Sequence, residues 1–336
     1  MPADDQDQLL REALATVAGQ GWSSAPYRFS AIGGGTQANV WRGHPTRPDA
    51  PEVAVRLTPK PAELIGRIAG LVNAIDSLER PETLAVASLE STTGRRGTVH
   101  VCTWIGAGSA NRRDPHGLGQ AIARLHDEMA RGGTEFADRR LSFERGPIPA
   151  ADQELPAWFV ARHLWRDRIL PRFVDADSSA LRMQPIHGDL HFDNVVTGSG
   201  GAAFGFIDFD KLMFAPPVFD LAKLLATGFF RVVGETGSVR FQRTHAIELL
   251  GGYQSIRPLT DAEIAAIEGF AVILNEEIAR LGHVYDVAGY RAQADAVGGW
   301  WSNRRRRNPS DPLGIRTATA SPDPRATTTP EQLTFL

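Results

Sequence analysis

Apolar and polar positions recur in different rhythms along the chain, and the changes of rhythm mark its elements. Residues 7–18 set leucines, alanines and a valine among charges, which predicts a short amphipathic helix. Tyr27 to Ile32, Asn39 to Gly43 and Val53 to Leu57 are brief runs separated by Gly-rich or Pro-rich turns, the pattern of a small antiparallel sheet. A helix is predicted over Pro61 to Leu78, where Pro61 suits a first-turn position, and a further strand over Thr98 to Ile105 ahead of Gly106-Ala107-Gly108. Beyond that glycine-bearing joint the rhythm turns helical, over Leu118 to Ala130 and Trp158 to Phe173. From Ala262 to Leu281, apolar residues recur at Ile264, Ile267, Ala271, Leu274, Ile278 and Leu281, which predicts one buried stripe flanked by Asn275 and Glu277, with Glu276 pointing away. From Ser302 the chain runs through Arg304 to Arg307 into Pro, Ser, Thr and Ala, and a disordered tail is expected. The arginine run reads as solvated charge.

Composition narrows the class. A chain of 336 residues buries a sizeable core and suits two lobes better than one. Its 42% hydrophobic and 22% charged residues are ordinary for a soluble enzyme, and a net charge of -3 makes no case for nucleic-acid or anionic-membrane partners. The single cysteine, Cys102, excludes an internal disulfide framework and fits a reducing, cytoplasmic setting. Met1 to Leu10 lacks the basic and apolar regions of a signal peptide, and no apolar run reaches the roughly 18 residues of a membrane span.

The chemistry concentrates in His187-Gly188-Asp189-Leu190-His191-Phe192-Asp193-Asn194 and in Ile207-Asp208-Phe209-Asp210. Carboxylates a few ångströms apart repel by roughly 4 kcal/mol at an effective dielectric near 20, so gathering them implies a cation or a proton. Glycines at 198, 200 and 201 join two short strand-like runs, which predicts a hairpin. Antiparallel pairing then sets Asp208 opposite the segment near Phe192 and Asp193, so that Asp189, Asn194 and Asp208 meet at the hairpin's open end. Carboxylate and amide oxygens without cysteine suit Mg²⁺ better than Zn²⁺. The plainer alternative makes Asn194 and Asp208 turn and cap residues; the convergence of three such groups favours a site.

Ile32-Gly33-Gly34-Gly35-Thr36-Gln37-Ala38-Asn39 lies between two predicted strands. Its glycines either let backbone N–H groups approach an anion or simply make a hairpin turn. Arg56, in the apolar strand Val53-Ala54-Val55-Arg56-Leu57, needs a partner, either a phosphate or a carboxylate such as Glu63 in the next helix.

This order resembles the kinase-like phosphotransferases of the aminoglycoside phosphotransferase and choline kinase group, over roughly residues 25 to 290. The likeness rests on His187-Gly188-Asp189 with Asn194 five residues after the aspartate, on Ile207-Asp208-Phe209, and more loosely on the glycine loop, Ala123-Arg124-Leu125-His126 and Pro217-Val218-Phe219-Asp220-Leu221-Ala222. The resemblance implies an α+β, bilobal protein-kinase-like fold with a small antiparallel-sheet N-lobe (1–104), a mostly helical C-lobe (105–301) and a tail (302–336). It also implies ATP- and Mg²⁺-dependent O-phosphorylation of a small-molecule hydroxyl. Asp189 would be the catalytic aspartate, and Asn194 and Asp208 would hold Mg²⁺. Ile32, Gly34, Gly35, Arg56, Glu63, Thr103 and Ile105 would surround the nucleotide, Thr103 and Ile105 at the adenine edge. Asp220 would brace the catalytic loop. His187 would likewise brace the loop rather than transfer a proton, and His191, Asp193 and Asp210 would be supporting parts.

The acceptor stays open. Glu235, Glu277 and Asp286 would favour a cationic acceptor, and Trp158, Trp165, Trp300 and Trp301 a sugar or ring. These cues lean slightly to an antibiotic or amino-sugar-like acceptor over a metabolite of the homoserine, choline or methylthioribose type. A dinuclear metallophosphatase would need further histidine-bearing metal blocks, whereas His245 and His283 stand singly. A pseudokinase-like binding module would lack one of Asp189, Asn194 and Asp208, and all three are here.

Overall fold

A computed structural model describes residues 3–32, 39–90, 96–105, 114–139, 181–197, 204–233, 238–284, 297 and 300. Helix α1 (Ala3–Ala18) precedes strands β1 (Tyr27–Ile32), β2 (Asn39–Pro45) and β3 (Val53–Thr58), helix α2 (Ala62–Asn73), and strands β4 (Thr83–Glu90) and β5 (Arg96–Thr103). The five strands form one antiparallel sheet in the order β1-β2-β3-β5-β4. The β3 run is apolar almost throughout, and Val53, Val55, Val99 and Val101 are fully excluded from solvent beside Leu9, Ala13 and Val17 of α1. Burial of those side chains, at roughly 1.5–3 kcal/mol for a large one, is what stabilises so small a sheet.

Strand β4 is absent from the expected elements, and α2 stops short of the predicted Leu78. The reason for the early stop is tertiary. The N–H groups of Ala74 and Ile75 turn back to the carbonyls of Leu71 and Val72 at 3.2 and 3.1 Å, and the amides of Asp76 and Ser77 donate to the buried Glu128 carboxylate at 2.6 and 3.0 Å. A carboxylate accepting two amides outcompetes another helical turn for them.

Helix α3 (Pro115–Met129) is followed by two nested hairpins. β6 (Gln184–Ile186) pairs with β9 (Met213–Ala215), and between them β7 (Val195–Thr197) pairs with β8 (Phe204–Phe206). Then come α4 (Val218–Gly228), the hairpin β10 (Phe230–Val233) and β11 (Ser238–Phe241), α5 (Arg243–Gln254) and α6 (Asp261–Val284). The α6 stripe is buried at Ile264, Ile267, Ala271 and Leu274, and a reciprocal pair of Thr260 and Glu263 caps the helix start. Asn275 is buried and donates to the Ala271 carbonyl at 3.0 Å.

The chain divides into two compact units. One comprises Met1–Asp114, Ala121–Phe143 and Arg182–Leu224, and thus holds the sheet together with the nested hairpins; the other comprises Pro115–Gln120, Glu144–Leu181 and Leu225–Leu336. In the second unit Trp300 packs against Phe230 and Phe241, with ring centroids 5.2 and 5.6 Å apart. Gly34, Gly35, Trp158, Trp165, Glu235, Asp286, Trp301 and the arginine run lie outside the described residues, as does the expected helix over Trp158 to Phe173.

Candidate active site

The nested hairpins bring the two acidic stretches face to face. Pairing of Val195 with Phe206 sets Asn194 against Ile207, whose N–H donates to the Asn194 carbonyl at 3.0 Å. Asp208 follows immediately. It is the one non-glycine residue with positive φ among those described (φ 64, ψ 56), a left-handed conformation that aspartate tolerates better than most residues.

Asp189 follows Gly188, whose φ is 77. A side chain at Gly188 would meet the Lys211 carbonyl at 2.2 Å, so only glycine lets the two segments approach. The buried Asp220 carboxylate accepts the amides of His187 and Gly188, each at 2.9 Å, and pairs with buried His126 at 3.2 Å. His187 accepts from the Asp189 amide at Nδ1, 3.3 Å, and donates from Nε2 to the Ile207 carbonyl, 2.9 Å. One ring therefore ties the aspartate loop to the strand end that carries Asp208.

Asn194 Nδ2 donates to the Asp189 carbonyl at 2.9 Å and to His191 Nε2 at 3.1 Å. The carbonyl can only accept, so this nitrogen is fixed, and Oδ1 is the group left to act as a ligand. Accepting at Nε2 requires neutral His191 with its proton on Nδ1, where Asp193 lies at 3.6 Å. Burial, only partly opposed by Asp189, lowers the His191 pKa and keeps that form in place.

Arg56 pairs with Asp208 at 2.8 Å and with Asp210 at 3.3 Å. This corrects the expectation that Glu63 is its partner. Glu63 is exposed in the first turn of α2, and its charge acts on Arg67 instead. Burial raises the Asp208 carboxyl pKa, but Arg56 outweighs it and holds the group below its ordinary range. Lys60 donates to the Asp210 carbonyl and lies 3.9 Å from its carboxylate.

Two lysines hold Asp189, Lys223 from α4 on Oδ1 and Lys211 on Oδ2 at 2.9 Å. Burial works against the charge, yet the lysines prevail and keep this carboxyl ionised far below the usual range. Neither lysine, nor Lys60, was among the expected site residues. Lys223 had a signal, since it is the one charge in Leu221-Ala222-Lys223-Leu224-Leu225-Ala226, the same anomaly that marks Arg56.

The donor set fits a hard cation. Asn194 and Asp208 offer oxygen ligands, and Mg²⁺ habitually takes one or two carboxylates with waters and phosphate oxygens. Among the described residues no three His, Cys, Asp or Glu side chains gather into a cage. Ile32 ends β1 at the glycine loop, and Ile105 is half-buried beyond β5. The Thr103 N–H is committed to the Glu82 carbonyl at 2.8 Å, which leaves an adenine-edge role to its carbonyl.

A model of the phosphotransferase enzyme family matches residues 28–259. The homoserine kinase of Methylobacterium nodulans is 36% identical over 155 residues, 45% of this chain and 45% of that protein. The chain spans about half the length of the curated relatives it matches. Amicoumacin kinase hAmiN, solved with AMP-PNP, Ca²⁺ and Ami, shares the fold at a TM-score of 0.65 and 14% identity, over 85% of this chain and 93% of that one. A choline/ethanolamine kinase family protein from Mesorhizobium loti does so at 0.58 and 16%, over 93% and 99%. The fold is thus the α+β, bilobal one of protein-kinase-like phosphotransferases. No helix among the described residues is long and apolar enough to cross a membrane.

Proposed function

Because this chain belongs to the phosphotransferase enzyme family, we propose that it transfers the γ-phosphoryl group of ATP to a hydroxyl of a small molecule in the cytoplasm. The observation that carries this is the placing of Asp189, ionised between two lysines, on the same pair of hairpins as Asn194 and Asp208.

A carboxylate held so far below its ordinary pKa is a weak base. It orients the acceptor hydroxyl and takes its proton late, as a loose phosphoryl-transfer transition state permits. Asn194 Oδ1 and Asp208 would hold Mg²⁺, which supplies charge neutralisation on the nucleotide phosphates. Arg56 and Lys60, with Ile32, Gly34 and Gly35 at the loop, would hold the phosphates themselves, and Thr103 and Ile105 the base. Glu63 entered that set as the partner of Arg56, and Arg56 pairs instead with Asp208 and Asp210. For the acceptor, the homoserine kinases among the relatives support a small metabolite over an antibiotic.

Asp189→Asn keeps the shape of the loop and removes the charge. Transfer should fall by roughly 10²–10⁴-fold while nucleotide affinity stays within a few-fold, measured by ADP release and by titration with a non-hydrolysable nucleotide. Unchanged turnover in that variant would sink the mechanism.

A further inference from the structure

Lys60 and Arg139 converge on one oxygen. The Lys60 ammonium donates to the main-chain carbonyl of Asp210, and Arg139 Nη2, at the end of the short helical turn Ala137–Arg139, approaches the same carbonyl at 3.5 Å. A carbonyl carries no net charge, so it neutralises neither cation. The carboxylates whose charges bear on Arg139 are committed elsewhere. Asp210 gives its carboxylate to Arg56 at 3.3 Å and stands 3.9 Å from Lys60, and Asp138 is held by both terminal nitrogens of Arg67 at 3.0 and 2.9 Å. Arg139 Nη1 is left buried without a hydrogen-bond partner among the described residues. A buried donor without an acceptor costs about 1–3 kcal/mol, and more when charged. Such a group calls for an acceptor that the chain itself does not supply.

The crowding of like charge sets the kind of acceptor. Burial lowers the pKa of Lys60 and of Arg139, and a neighbouring cation lowers each further, Arg139 for Lys60 and Arg67 for Arg139, against a partial offset from Asp210 and Asp138. A neutral acceptor would answer the unmade hydrogen bond but not the repulsion; an anion answers both. An arginine fork beside a lysine point charge suits the several oxygens of a phosphate. Arg139 is half-buried and Lys60 keeps 21% of its side chain exposed, so a solute can reach the pair. Resting on the phosphotransferase reading for its source of phosphate, we propose that Lys60 and Arg139 form a seat for a phosphate group beside Asp210, to which Arg139 Nη1 brings the unused donor. The seat leans on the backbone two residues after Asp208, so phosphate binding and the candidate metal ligand share one short segment. The phosphate comes from the nucleotide or from free phosphate, and the two sources are separable.

Calorimetric titration of the full chain tests this with three probes at fixed ionic strength: AMP-PNP with Mg²⁺, ADP with Mg²⁺, and inorganic phosphate, with chloride as the control anion. Arg139→Gln should weaken at least one phosphate probe about tenfold, Lys60→Met should weaken the same probe, and Arg139→Lys should keep most of its affinity. Loss for AMP-PNP with ADP within about twofold assigns the seat to the terminal phosphate of the nucleotide, and equal loss for both nucleotides assigns it to an inner one. Loss confined to inorganic phosphate assigns it to free phosphate. The inference is overturned if all three probes bind Arg139→Gln within about twofold of the parent, if Lys60→Met loses a different probe, or if chloride displaces the affected probe as well as phosphate does. Should one of the two variants fail to fold, the other decides by the same criterion. The phosphotransferase reading fails on a different result, turnover that is indifferent to Asp189→Asn.

Discussion

Asp220 Oδ1 accepts the amide proton of Gly188 at 2.9 Å, inside a region sealed from solvent. The relationship joins α4 to the loop that carries Asp189. Its other oxygen takes the His187 amide and the His126 ring, so one buried carboxylate sets the backbone of the Asp189 loop.

Removing that carboxylate leaves two buried N–H groups and a buried imidazole without their acceptor. Asp220→Ala should cost about 3–5 kcal/mol of stability, and Asp220→Asn less, because the amide oxygen still serves one donor. Urea denaturation measures this. Turnover in the Asn variant should fall through kcat, with little change in nucleotide affinity, since the buried Asp220 acts on the backbone of the Asp189 loop.

Arg56 pairs with the Asp208 carboxylate, and under the proposed function its charge would turn to a phosphate when nucleotide binds. Arg56→Lys should keep the charge and lose the fork, and Arg56→Ala should leave Asp208 without its partner. The KM for ATP is expected to rise about tenfold or more in the Ala variant and less in the Lys variant, as steady-state kinetics would show.

His100 lies opposite Arg56 in the sheet and bonds Thr83 at 2.9 Å. Burial, with Arg56 adding to it, pushes its pKa down to about 3 from 6.5. The unfolded chain therefore binds a proton that the folded chain refuses, so stability falls as pH drops from about 6.5 toward 3, by up to roughly 1.4 kcal/mol per unit. Asp189 acts in the same direction lower down. Its folded pKa is depressed, so its contribution is present above the ordinary carboxylate value and fades as pH falls below about 4. Denaturant midpoints at pH 7.5, 6 and 5 should decline, and His100→Gln should flatten the decline; an unaltered slope would assign it elsewhere.

Much of the fold was legible along the chain. The bounds of β1 match the expected Tyr27 to Ile32, because its short run is set off by turns that end it. The stripe of α6 is buried at Ile264, Ile267, Ala271 and Leu274, where the three-four spacing placed it. The bend after α2 was not legible, because Glu128, 52 residues beyond Asp76, supplies the acceptor that ends the helix. Strands β4, β10 and β11 were missed as well. β10 and β11 are only four residues each, and the eight-residue β4 is defined by its pairing with β5 rather than by its own pattern.

The sequence by itself determined the hairpin around residues 198 to 203 and the nearness of Asn194 to Asp208, since pairing across a turn is governed by chain length and by period two. It also marked Arg56 as a charge in need of a partner. Only the tertiary structure decided who that partner is: Asp208, 152 residues away, and not Glu63 in the next helix. The same holds for Lys211 and Lys223 on Asp189 and for Asp220 beneath Gly188. Periodicity is written within an element, but an ion pair between elements depends on how their faces pack and on which carboxylate the packing leaves within reach of the charge.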